Sequence, residues 1–192
     1  MKSRRRARLK LCAGALLLIF AGGLCQKNSD DNAHAKRACA AMLESAQAQI
    51  AAQPPHADVR NPAVRNPAAD DDGILGILEI PALSLTLPVQ ADYSEALLQN
   101  APCRYRADPG DTRLIVCGHN YKSQFGRLQT LVPGDAIIFT DSAGNARCYT
   151  AVAITTIAQD DPAALTDGTW DLALFTCTLS SIRRVLVRCR AC

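Results

Sequence analysis

The stretch DLALFTCTLSSIRRVLVRC, residues 171–189, holds two apolar runs separated by a short polar connection. Leu172 to Cys177 reads as a buried strand that delivers Cys177 at its end, where polar residues take over. After Thr178 to Ile182 come Arg183 and Arg184, and a second strand follows through Val185, Leu186 and Val187. So short a connection returns the chain beside its start, which lets an arginine opening the second strand face Cys177. Upstream, similar runs occur at Ile74–Ile80, Leu83–Val89, Leu114–Cys117, Ala136–Thr140 and Ala146–Thr156. Turn signals part several of them, as at Asp108-Pro109-Gly110, Pro133-Gly134-Asp135 and Asp141 to Asn145. Six to eight strands in about 120 residues predict a mostly β domain over 73–192, a closed or nearly closed barrel or a sandwich. Helical patches are expected near Ser94–Asn100, Gln124–Leu131 and Asp161–Thr166.

Of three histidines, His34 and His56 lie upstream of this domain, so His119 is its one imidazole. It follows the apolar run Leu114–Cys117 and the turn residue Gly118. Cysteine, histidine and arginine form a coherent acyl-transfer set. A thiolate attacks an acyl carbon, an imidazole moves the proton, and a guanidinium fork stabilises oxyanion charge. The alternative is a buried thiol, a turn histidine and two solvated arginines, and the residues alone leave both open. Nine cysteines are many for 192 residues, and their irregular spacing defines no disulfide framework. Cys117 and Cys148 sit within strand runs like small core hydrophobes. The lone C-x-x-C spacing, Cys189 to Cys192, lacks two further ligands for zinc, and no metal site is assigned.

The formal charge of +3 is misleading. Residues 1–10 carry six basic groups and no acid, so the remainder has a net charge of −3 and offers no warrant for a nucleic-acid partner. The uncharged run Leu11 to Cys25 behind the basic cluster is the pattern of an export signal, read here as an uncleaved signal anchor over residues 1–27. Leu24 before Cys25 argues against lipidation, and Ala33-His34-Ala35 lies far from the run for a cleavage site. This places the N-terminus in the cytoplasm and the domain outside a single-pass membrane segment. Residues 28–53, rich in Ala, Leu, Gln and Glu, predict a helical stalk with a weak apolar stripe that projects the domain. Residues 54–72, with four prolines and VRNPA duplicated at 59–63 and 64–68, read as a linker, either a solvated spacer or a lid.

Three stretches together, GILEIPALSLTLPV (76–89), LIVCGHNYKSQFGRLQTLVPGDAIIFTD (114–141) and DLALFTCTLSSIRRVLVRC (171–189), resemble the sortases, cysteine transpeptidases of Gram-positive cell surfaces. The resemblance implies a closed sortase-type β-barrel of about eight strands. It implies Cys177 as nucleophile, His119 as general acid/base and Arg184, directly before the Val185-Leu186-Val187 triplet, as the oxyanion arginine. Strand alternation points Arg183 the other way. The implied partners are an LPxTG-like sorting signal and an amine of peptidoglycan or a pilin subunit, with no cofactor. Asn120, Thr176 and Trp170 are the candidate substrate contacts, although Trp170 reads more readily as core than as a groove wall. Gln124 stands where many relatives have a second histidine. A linker without aromatic residues and a chain stopping at Cys192 differ from the pilin-type pattern, and the class stays open. A peptide-binding barrel with an inert thiol, or a thiol hydrolase using water, are the competing functions.

Overall fold

The computed structural model describes residues 2–52, 73–106, 113–161, 163–178 and 182–192, with the side chains of 2–9 and 11 undescribed. The expected linker 54–72 and the Asp108 turn lie outside these residues. Two compact units divide the chain, Met1–His34 and Ala35–Cys192.

A long helix, α1 (Lys2–Ala51), contributes to both. In the first unit, Leu16, Leu17, Leu18, Ile19, Phe20 and Leu24 are exposed. No helix among the described residues is long and apolar enough to cross a membrane. The uncharged run rises only about 22 Å at 1.5 Å per residue, against a hydrocarbon core of roughly 30 Å. The single-pass anchor expected over 11–25 is therefore not supported by hydropathy.

In the second unit, eight strands close into a barrel: β1 (Ile74–Ile80), β2 (Leu85–Gln90), β3 (Cys103–Arg104), β4 (Leu114–Cys117), β5 (Ala136–Asp141), β6 (Ala146–Ala158), β7 (Leu172–Cys177) and β8 (Arg183–Ala191). Around the barrel the order is β1-β2-β3-β4-β7-β8-β6-β5, and β5 returns to β1. The β2–β3 and β4–β7 pairs are parallel and the others antiparallel. Leu78, Val89, Val116, Phe139, Leu174 and Val187, from six strands, meet in the interior. A second apolar cluster, including Cys117, Phe175 and Leu186, lies on the outer face under Leu98 of α2 (Glu95–Leu98) and Leu165 of α3 (Ala163–Thr166).

The C-terminal part of α1, expected as a projecting stalk, packs against the barrel. Ala35, Cys39 and Ala46 are buried, with Met42, Leu43 and Ile50 partly buried, at helical spacing. Ala46 clusters with Ile74 and Ile77, and the Cys39 thiol donates to the Asn100 carbonyl at 3.2 Å. The stripe is weak by hydrophobicity because half of it is Ala and Cys, yet small residues let a helix approach a sheet closely. This explains why β1 reads as a nearly unbroken apolar run: Leu78 and Ile80 face the barrel interior, while Ile74 and Ile77 face the helix.

Strand ends are set by local chemistry. The 3-10 turn Pro81–Leu83 precedes Ser84 at φ +50°, so β2 starts at Leu85 rather than Leu83. The β5–β6 turn is held by Asp141, whose Oδ1 accepts from the backbone N–H of Ala143 at 3.1 Å and of Asn145 at 2.8 Å. Cys148 is exposed and disulfide-bonded to Cys192, in contrast to the core role expected of it, because its position on β6 faces outward beside the chain terminus. Cys189 points inward instead and remains a buried free thiol.

Two predictions concern the barrel. A Cβ on Gly76 would meet the Thr140 carbonyl and come within 2.8 Å of the Phe139 ring. Gly76→Ala is therefore expected to cost about 3 kcal/mol, read as a lower urea midpoint. Burial pushes the Cys39 and Cys189 thiols up from 9.0 to about 12. Between those values the unfolded chain has lost protons that the folded chain keeps. The stability these thiols contribute is thus complete below pH 9 and lost as pH rises toward 12. Urea titrations across this range should show the decline, with a shallower slope for Cys189→Ala.

Candidate active site

Strands β4 and β7 run side by side in parallel, pairing Leu114 with Leu172 and Cys117 with Phe175. The Gly118 N–H donates to the Phe175 carbonyl at 3.1 Å, extending the ladder one step. His119 and Cys177 each lie two residues beyond the Cys117–Phe175 pair, at the same edge of the barrel. On the other side of β7, Cys177 pairs directly with Arg184 of β8, and the Thr178 N–H donates to the Arg183 carbonyl at 2.8 Å. Three strand ends therefore bring the cysteine, the histidine and the arginine to one edge.

Alternation decides which side chains share a face. Leu174, Val185 and Val187 belong to the interior, whereas Phe175 and Leu186 belong to the outer cluster. Cys177 and Arg184 follow the outer set. The Arg184 guanidinium lies 5.3 Å from the Phe175 ring centroid, and its buried Nε has no hydrogen-bond partner among the described residues. An arginine lying against an aromatic ring beside a half-buried thiol puts a fixed positive charge where an anion forming at that thiol would be met. Arg183 is exposed and reaches the Thr156 carbonyl of β6 at 3.5 Å.

His119 is held by its backbone. Its N–H donates to Gln124 Oε1 at 3.0 Å, its carbonyl accepts from the Phe125 N–H at 3.0 Å, and its ring lies 4.9 Å from that of Tyr121. Gln124 and Phe125 are both fully buried. Gly118 is required by contact, since a Cβ there would stand 2.7 Å from the Phe125 ring. The sequence marks Gln124 only as a departure from a histidine position; the geometry makes it the group that fixes the His119 backbone. Tyr121 and Phe175 also adjoin the site and were not singled out from the sequence, where an aromatic residue two positions from the histidine and from the cysteine is the signal that could have found them.

The remaining candidates divide. Asn120 is half-buried in the turn after His119, at the rim. Thr176 faces inward between Leu174 and the start of β8 and is buried, away from the Cys177 face. Trp170 is buried in the outer cluster, its Nε1–H donating to the Asp167 carbonyl at 2.9 Å beneath the Arg113 guanidinium at 4.3 Å, so its indole is packed core.

The neighbouring thiols differ from Cys177 in exposure. Cys103 and Cys117 are paired across β3 and β4 and are buried in the outer cluster. Burial pushes Cys103 up to about 12 and Cys117 higher still, and the Cys117 thiol donates to the Cys103 carbonyl at 3.4 Å. Both remain protonated and poor nucleophiles at neutral pH. Among the described residues, no group of three or more His, Cys, Asp or Glu could hold a metal ion.

Comparison with known proteins places this arrangement. A family model described as "Sortase domain" matches residues 78–191. Sortase C1 of Streptococcus agalactiae is 30% identical with a TM-score of 0.56, over 65% of this chain and 70% of that one. Sortase C of Streptococcus pneumoniae is 21% identical with a TM-score of 0.57, over 85% of this chain and 88% of that one. Sortase A of Corynebacterium diphtheriae is 18% identical with a TM-score of 0.56, over 79% and 83% respectively. The last two likenesses speak for the fold alone. No curated protein matches the chain. With a family match spanning nearly the whole barrel, the chain belongs to the sortase family of cysteine transpeptidases.

Proposed function

We propose that this sortase cleaves an LPxTG-like sorting signal and transfers the acyl fragment to an amine of peptidoglycan or of a pilin subunit. The observation that carries the reading is the cross-strand pairing of Cys177 with Arg184, one strand from His119. The Cys177 thiolate attacks the carbonyl carbon of the threonine preceding the scissile bond. Arg184 donates to the resulting oxyanion. The His119 imidazolium protonates the departing glycine amine as the C–N bond breaks, leaving a thioester on Cys177. An incoming amine then attacks the thioester, His119 accepts its proton, and the thiolate leaves. Asn120 is assigned to the substrate rim. Thr176 and Trp170 are read as supporting the site through packing, consistent with their burial.

The cell-surface setting of the family accords with an N-terminal segment that attaches the enzyme to a membrane. Six exposed large apolar side chains between Leu16 and Leu24 support that reading. Lys10 and Lys27 can extend toward the headgroups and lengthen the effective span. Residues 54–72 are proposed as a solvated connection from the docked end of α1 to β1.

Intact-mass spectrometry of the chain mixed with LPxTG-type peptides should show an adduct equal to the N-terminal peptide fragment. The adduct should be absent in Cys177→Ala and discharged by triglycine. Discharge by water alone at an unchanged rate would favour a hydrolase, and a folded protein without any adduct would favour a binding module. His119→Ala is expected to lower kcat/KM about 1000-fold and Arg184→Ala about 100-fold, whereas Arg183→Ala should cost less than about 10-fold. Peptide mapping after brief iodoacetamide treatment at pH ~7.5 should find Cys177 labelled and Cys103, Cys117 and Cys189 protected. Equal labelling of all four would contradict the burial argument.

A further inference from the structure

Strand β4 ends at Cys117, and the Gly118 N–H carries its ladder to β7 one bond further. His119 is held by other means. Both of its backbone groups turn to residues further along the chain: its N–H donates to Gln124 Oε1 at 3.0 Å, and its carbonyl accepts from the Phe125 N–H at 3.0 Å. The Tyr121 carbonyl accepts from the N–H groups of both Gln124 and Gly126 at 2.9 Å, so residues 119–126 close on themselves. A Cβ on Gly126 would stand 2.4 Å from the Asn120 carbonyl oxygen and 2.8 Å from that of Tyr121, and only hydrogen fits there. The closed loop is anchored in turn. Gln124, Phe125 and Leu128 are fully buried, the last two within the barrel interior, and Arg127 donates through Nη2 to the Leu83 carbonyl of the 3-10 turn.

We infer that Gln124 and Gly126 are positioning residues that set where the His119 imidazole stands relative to Cys177. The inference rests on the transpeptidase reading, in which that imidazole moves the proton. An imidazole reaches only as far as its own Cα allows, and this Cα is clamped between a peptide N–H held by Gln124 and a carbonyl held by Phe125. A displacement of about 1 Å costs proton transfer far more than it costs binding, so loss of the clamp lowers kcat and leaves KM. The working atom of Gln124 is its Oε1, because its buried Nε2 has no hydrogen-bond partner among the described residues. Glutamate supplies the same acceptor, since burial keeps its carboxyl protonated and close in shape to the amide. Methionine fills similar space without an acceptor, and asparagine is one methylene too short to reach the His119 N–H.

The test uses the full chain with Gln124→Met, Gln124→Glu and Gly126→Ala. Urea midpoints check that each is folded, and Gln124→Asn replaces the methionine variant if that one is not. Two quantities are measured: kcat and KM for an LPxTG peptide with triglycine, and the imidazole C2–H signals of the three histidines by NMR. The His119 signal is the one missing from His119→Ala. We expect Gln124→Met to lower kcat roughly 30-fold with KM within about 2-fold of wild type. Gly126→Ala should act in the same direction by about 10-fold, and Gln124→Glu should come within about 3-fold of wild type. The His119 signal should shift in the methionine and alanine variants and return in Gln124→Glu, with those of His34 and His56 unmoved. Wild-type kcat in Gln124→Met overturns the inference, as does a loss confined to KM. Equal losses in Gln124→Met and Gln124→Glu mark a merely structural role and also overturn it. Wild type that forms no thioester on Cys177 defeats the transpeptidase reading instead. The His119 signal then decides the positioning role by itself, and an unmoved signal in Gln124→Met overturns it.

Discussion

The register of β7 between its two neighbours is the constraint on which the site depends. Cys117 beside Phe175 on one side and Cys177 opposite Arg184 on the other fix three chain segments at one edge. A slip of one residue in either ladder would exchange the faces, turning Cys177 inward and presenting Thr176. The register is secure because both faces of β7 are covered. Leu172 and Leu174 fill the barrel interior while Ala173 and Phe175 fill the outer cluster, and each is buried. Apolar packing on two sides of a strand thereby sets the geometry of three polar groups at its end.

Much of this could be read from the residues. Strands β1, β4 and β7 have the limits that their apolar runs predict, and Arg183 and Arg184 point to opposite sides as strand alternation requires, the choice of Arg184 resting on the resemblance. What escaped did so for identifiable reasons. Strand β3 is two residues, Cys103–Arg104, too short for any periodicity to show. The packing face of α1 is built from Ala35, Cys39 and Ala46, which carry little hydrophobic signal although they permit close contact. Thr176, a candidate substrate contact, adjoins Cys177 in sequence, but adjacency along a strand puts the two side chains on opposite faces, and Thr176 is buried. Cys148 resembled a core residue because its neighbours do, and only the nearness of Cys192 in space reveals its bond. In each case the missing information was tertiary.

The arginines show how one residue type serves two purposes within nine residues. The Arg184 guanidinium lies against the Phe175 ring beside Cys177, while the Arg188 guanidinium donates through Nη2 to the Ala164 carbonyl and is tied to backbone. Composition cannot separate these roles. The partners can, and they are supplied by the strand's pleat and by the segment laid across it.

The bond between Cys148 and Cys192 has a topological meaning as well. It joins residues 44 apart, so the chain between them is a covalent ring that contains β7, β8 and the nucleophile. In the chain-entropy account, closing a ring of this size removes about 4 kcal/mol of freedom from the unfolded chain. A protease that nicks any loop within the ring produces two pieces that cannot separate. A single cut there would leave Cys177 and Arg184 tethered to the rest of the barrel.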